Sequence, residues 1–105
     1  MELLPEAYIN KLPKLYEQAW LGENAVIFIK YHDPHNNNAW YVTEFDGKDT
    51  FFGFILGDDT RLGYFRLQEL KDYKNELGLG VERDDDFKPA TIKELKHLLA
   101  RHDKA

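Results

Sequence analysis

The chain has 105 residues, 43% of them hydrophobic and 14% aromatic, with a formal net charge of -5. That size and apolar content argue against an intrinsically disordered polypeptide and fit one domain over residues 1–105, because either half alone would lack a sufficient core. The acidic balance disfavours generic attraction to nucleic acid or an anionic membrane, and no apolar run approaches the roughly 20 residues that span a bilayer.

The N-terminal stretch from Met1 to Glu6 lacks the basic and apolar regions of a signal peptide, so the expected location is the cytoplasm. Pro5 and Pro13, each preceded by leucine, predict two short helical pieces at about residues 5–11 and 13–19, since proline suits a first helical turn and breaks an interior. The β-branched and aromatic run from Ala25 to Tyr31 predicts a first strand, closed by the turn-forming cluster His32 to Asn38. Trp40 to Phe45 predicts a second strand and Phe51 to Leu56 a third, joined through Asp46-Gly47-Lys48-Asp49. Arg61 to Arg66 predicts a fourth strand, followed by a polar helix from Leu67 to about Leu77 that Gly78 would end. Thr91 with Glu94 forms a capping-box pattern, and Ile92, Leu95, Leu98 and Leu99 then recur at helical spacing. The expected fold is α+β: a four-stranded antiparallel meander with short N-terminal helical turns, a helix after the fourth strand and a C-terminal helix packed on one face.

Serine and cysteine are both absent, which removes the nucleophiles of the common hydrolytic triads as well as any disulfide framework. The four threonines are internal, so an N-terminal threonine nucleophile is equally unsupported. Gly78-Leu79-Gly80 lacks the third glycine and the lysine of phosphate-binding loops. His32 and His35 have a spacing that can converge two imidazoles on a metal, but no third ligand stands at a recognised spacing, and a solvated loop is the simpler reading. Glu94 and His97 make one Glu-x-x-His, where a di-iron bundle needs two. No cofactor is expected.

Glu44 is the one candidate for acid–base work. Strict alternation places it with Trp40 and Val42, and a meander brings Tyr64 and Arg66 to the same face, which suits either a cross-strand Glu–Arg pair or a ligand pocket. The aromatics exceed what one face of a small sheet can hide, so either helices cover both faces or one face meets a partner. Acidic side chains concentrate in Glu44, Asp46, Asp49, Asp58 and Asp59, and again in Glu82, Asp84, Asp85 and Asp86. Lys93, Lys96, His97, Arg101 and Lys104 form a basic stripe on the last helix, a secondary candidate for contact with phosphate or an acidic partner.

Several segments resemble the Domain of Unknown Function 2958 family: Lys11-Leu-Pro-Lys-Leu-Tyr16, Trp40 through Asp46, Asp49-Thr-Phe-Phe-Gly53, Leu62-Gly-Tyr-Phe65 with Glu69-Leu70, and Leu77 through Asp84. The resemblance covers about residues 3–95 and implies an accessory product of a bacterial plasmid, integrative element or phage, with no active site to carry over. It directs attention to Trp40–Asp46 and Val81–Asp84. The expected function is a non-enzymatic protein-binding accessory factor, in a sharper form an inhibitor of a host defence system whose carboxylates imitate DNA phosphates. The partner-binding residues expected are Trp40, Glu44, Asp46, Asp49, Asp58, Asp59, Tyr64, Arg66, Glu82, Asp84 and Asp85. The alternatives are a small enzyme or ligand-binding domain using Glu44, Tyr64 and Arg66, and a nucleic-acid-binding protein using the last helix.

Overall fold

A computed structural model describes residues 2–103. The chain opens with a single helical turn, α1 (Glu6–Ile9), entered through Pro5, whose carbonyl accepts the amides of Tyr8 and Ile9. The second helical piece expected at 13–19 is absent. That stretch is a chain of turns leading into a 3-10 helix at Ala19–Asn24.

The expected first strand is broken. Its residues form β1 (Val26–Ile27) and β2 (Ile29–His32), which belong to different sheets. At Phe28 the amide bonds to the Val42 carbonyl at 2.9 Å, and before this point the chain turns away to pair with the C-terminal part of the sequence. Three strands follow in the expected order: β3 (Ala39–Phe45), β4 (Thr50–Leu56) and β5 (Thr60–Arg66). A short helix, α2 (Leu67–Asp72), comes next, then β6 (Glu82–Arg83), β7 (Ala90–Thr91) and α3 (Ile92–Asp103).

The main sheet is antiparallel and five-stranded, in the order β5-β4-β3-β2-β6, not the four-stranded meander expected. The added strand, β6, is too short to carry a periodic pattern. It pairs Arg83 with Tyr31 and Glu82 with His32. A separate two-stranded sheet joins β1 to β7, and the Ile92 amide bonds to Ala25 O at 3.0 Å, fixing the start of α3 beside the 3-10 helix.

The surplus of aromatics is resolved by covering both faces. On one face Phe51 is fully buried, with the rings of Tyr31, Phe45 and Phe65 at 6.0, 4.8 and 5.4 Å. Leu3, Leu4 and Leu70 close that core. Truncating such a ring costs about 3–5 kcal/mol. On the other face Tyr41, Phe54 and Ala39 pack beneath Ile92 and Leu95 of α3, as its periodicity requires. The capping box forms: the Glu94 amide donates to Thr91 Oγ1 at 3.1 Å and the Thr91 amide to Glu94 Oε1 at 3.0 Å.

The helix expected to run to Leu77 stops at Asp72, because Tyr73 takes an extended conformation. Gly78 does adopt positive φ, at 76°, but inside a turn whose amides at Leu77 and Leu79 donate to Asn75 Oδ1.

Candidate functional site

The residues singled out in the sequence are rearranged by one irregularity. β3 and β4 pair Val42 with Gly53 but Glu44 with Phe52, so Thr43 is a β-bulge. An inserted residue reverses the alternation beyond it, which returns Phe45 to the core of Val42 and moves Glu44 to the opposite face. The placement of Glu44 with Trp40 and Val42 is thereby corrected.

Glu44 is 4% exposed, and both carboxylate oxygens are engaged. Oε1 accepts the Tyr16 amide and Oε2 the Gln18 amide, each at 2.8 Å. Gln18 is itself buried and answers the bulge: its Nε2 donates to Thr43 O at 2.8 Å and to Val26 O at 2.9 Å, while its Oε1 accepts the Val26 amide at 2.7 Å. The Phe45 amide completes the seam by donating to Pro13 O. The turn segment 13–18 thus covers the stretch of β3 that β2 leaves unpaired.

This clamp holds Tyr16 at φ 74°, a left-handed conformation that side chains other than glycine rarely adopt. The cost is about 1–2 kcal/mol for an ordinary residue. Tyr16 is 69% exposed, and its phenol, with partial burial and the negative charge of Glu44, pushes the Tyr64 phenol up. Tyr64 is half exposed and packs edge-on against Phe52 at 5.0 Å. Trp20 follows directly on the turn in which the Ala19 amide bonds to Tyr16 O, and its side chain is 81% exposed. Sequence reasoning missed Tyr16 and Trp20, since neither breaks a local pattern, and missed Gln18, whose partners lie on two separate strands.

Of the three residues expected together, Glu44 and Tyr64 stand on either side of Phe52 across adjacent strands, whereas Arg66 pairs elsewhere. Arg66 Nε donates to Asp49 Oδ2 at 2.6 Å, so its carboxylate partner comes from the β3–β4 hairpin rather than from Glu44. Asp49 also accepts the amides of Leu67 and Gln68 through its backbone and side chain, which caps α2. The Arg66 hydrogen bond, the Gln68 amide and the Arg66 charge hold its carboxyl low. Asp46 Oδ1 accepts the amides of Lys48, Asp49 and Thr50, shaping the turn around Gly47.

Among the other acidic residues, Asp84 lies 3.9 Å from Lys30 Nζ and Asp85 bonds to Arg83 Nε at 2.9 Å. Asp58, Asp59 and Glu82 are exposed. Trp40 is half buried, edge-on to Tyr73 with ring centroids 5.2 Å apart.

The His/Asn-rich loop is organised by Asp33, a buried residue. Its carboxylate accepts Tyr73 OH at 2.6 Å, the His35 amide and Asn75 Nδ2 at 2.8 Å each, and Asn36 Nδ2 at 3.1 Å. Burial raises the Asp33 carboxyl, but these four donors outweigh it and bring it down to about 2. The two imidazoles do not converge: His35 Nε2 faces Glu76 at 3.0 Å, while His32 lines a groove. Among the described residues no cluster of three or more His, Asp or Glu is arranged to hold a metal ion.

That groove, about 970 Å³, runs between α3 and the sheet. Tyr41, Phe87, Leu95, Leu98 and Leu99 form its apolar walls, with Lys30 and Asn36 to Asn38 at one end. A second groove of about 350 Å³ continues it past Thr60 and Leu99 to Phe54, Leu62, Arg61 and Lys96. Of the basic stripe, Lys96 pairs with Glu23 at 3.2 Å, and Lys104 lies outside the described residues. No described helix is long and apolar enough to cross a membrane.

The model of one family, described as a protein of unknown function (DUF2958), matches residues 3–102. The chain belongs to that family. Its match takes in the bulged strand, the Asp33 loop and most of α3. No curated protein and no solved structure matches the chain.

Proposed function

We propose that this DUF2958 protein is a non-enzymatic protein-binding accessory factor, acting in the cytoplasm on behalf of a bacterial plasmid, integrative element or phage. The observation that carries the reading is the Glu44 clamp. Two hydrogen bonds from backbone amides to the Glu44 carboxylate hold Tyr16 in a strained conformation whose visible result is an aromatic ring in solvent beside Tyr64. Strain of this kind persists where surrounding structure enforces it, and it gathers at functional positions. Exposed tryptophan and tyrosine are the side chains that most often dominate protein interfaces. The groups considered for catalysis support the same reading, because Glu44 and Arg66 are each committed to partners inside the fold.

The test is affinity capture from a native host with wild-type protein and with Trp20→Ala and Tyr64→Ala variants. One partner retained by the wild type and lost by both variants at unchanged melting temperature is expected. Turnover of a small substrate with no partner retained overturns the proposal.

The narrower reading, inhibition of a host defence nuclease by phosphate imitation, draws support from exposed Asp58, Asp59 and Glu82. It gains less from Asp84 and Asp85, which face Lys30 and Arg83 of the same molecule. Reversing the charge of Asp58, Asp59, Asp84 and Asp85 abolishes the inhibition if mimicry is the mechanism.

A further inference from the structure

We infer that the continuous groove along α3 is a docking site for an acidic, amphipathic segment of a partner protein. None of Tyr16, Trp20 and Tyr64 lines this groove.

Two observations fix the chemistry of the occupant. The first is the apolar lining. Leu98 and Leu62 remain 52% and 45% exposed and line the two grooves, with Tyr41, Phe54 and Leu99 alongside them. α3 covers the part of the sheet under Ile92 and Leu95 and leaves a channel beyond it.

The second is charge. Asp and Glu outnumber Lys and Arg by 19 to 14 in this chain, yet the acidic and basic side chains that line the two grooves are Lys30, His32, Arg61 and Lys96, with no carboxylate among the described residues. Lys30 and Lys96 are ion-paired with Asp84 and Glu23, which line neither groove, and Arg61 has no ion pair among the described residues. A cationic border around an apolar floor matches a segment with leucine or aromatic anchors on one face and aspartate or glutamate beside them. Nucleic acid fits less well, because it presents few apolar anchors and meets a molecule of net charge -5. α3 has 12 residues, about 18 Å at 1.5 Å per residue, so the occupant engages about three helical turns or a comparable extended stretch.

The experiment is selection from a displayed random 12-residue peptide library against the full chain, followed by fluorescence anisotropy with the enriched peptide. Enriched sequences are expected to combine Leu, Ile, Phe or Trp with Asp or Glu. Their affinity falls at least tenfold in Leu98→Glu and in Arg61→Glu, while Trp20→Ala leaves it unchanged. Leu98 is half exposed, so its variant folds, and circular dichroism verifies this. No enrichment, enrichment of basic peptides, binding indifferent to Leu98→Glu and Arg61→Glu, or Arg61-dependent binding of a labelled DNA or RNA oligonucleotide overturns the inference. Loss through Trp20→Ala instead assigns the peptide to the surface around Trp20 and overturns the inference.

Discussion

The Tyr73 hydroxyl donates a 2.6 Å hydrogen bond to Asp33 Oδ2 across 40 positions of sequence. This bond ties the loop after β2 to the segment after α2, and Asn75 reinforces it from the same side. Tyr73→Phe keeps the ring against Trp40 and removes only the hydroxyl. Its expected effect is a lowered melting temperature with the far-ultraviolet circular dichroism unchanged. An unaltered melting temperature would show that the loop holds without this donor.

The same carboxylate makes stability acid-sensitive. Asp33 is held at about 2, below its ordinary 3.8, so the folded state binds its proton less readily than the unfolded chain does. Its contribution is fully present above about pH 4 and is lost as pH falls toward 2. Asp46, where three backbone amides outweigh burial, and Asp49, paired with Arg66, shift in the same direction. Urea denaturation midpoints measured from pH 6 down to pH 2 should fall below pH 4, and Asp33→Asn should flatten that slope.

Gly53 faces Gly63 across the β4–β5 pair, yet the two respond differently to a methyl group. A Cβ on Gly53 would stand 1.8 Å from the backbone oxygen of Tyr41, which cannot move without breaking the sheet. On Gly63 it would meet the mobile end of Arg61 at 2.8 Å. Gly53→Ala is expected to cost about 3 kcal/mol or more and Gly63→Ala less than about 1 kcal/mol, read from urea denaturation.

Tyr16→Gly separates stability from binding. Glycine relieves the left-handed backbone, and the exposed ring takes little packing with it, so stability should hold or rise by up to about 1 kcal/mol. Partner capture should be lost. A variant that still captures the partner would remove Tyr16 from the interface. Glu44→Gln acts in the opposite way: an amide group in place of one acceptor leaves a buried N–H facing another, and a loss of about 2–3 kcal/mol is expected.

Thr91→Ala opens the capping box of α3 and should cost about 1 kcal/mol, whereas Thr91→Ser retains the hydroxyl and should restore most of it. Thermal denaturation of the three proteins gives the comparison directly.

The elements legible in the sequence are those whose determinants are local. Thr91 and Glu94 stand three residues apart and cap each other, and the strands from Ala39 to Arg66 follow their hairpin turns and, up to the bulge at Thr43, their alternation. What escaped depends on contacts far along the chain. Nothing near Thr43 marks a bulge, because the residue that satisfies its carbonyl is Gln18. The strand from Ala25 to Tyr31 reads as continuous, since the pairing that divides it at Phe28 comes from Thr91 and Ala90 on one side and Val42 on the other. The helix after β5 ends early because Tyr73 is drawn to Asp33. Of the candidate site, the acidic side chains were visible as composition, but which of them form ion pairs within the chain depends on where Arg66, Arg83 and Lys30 fall in the fold.

The short strand β6 also bears on where the chain can be cut. β3, β4 and β5 pair through short hairpins, whereas the outer edge of β2 is covered only by Glu82 and Arg83. Val26 and Ile27 pair later still in the sequence, with Ala90 and Thr91. A chain truncated before residue 82 therefore bares two strand edges that the complete fold covers, those of β2 and β1, and is expected to aggregate.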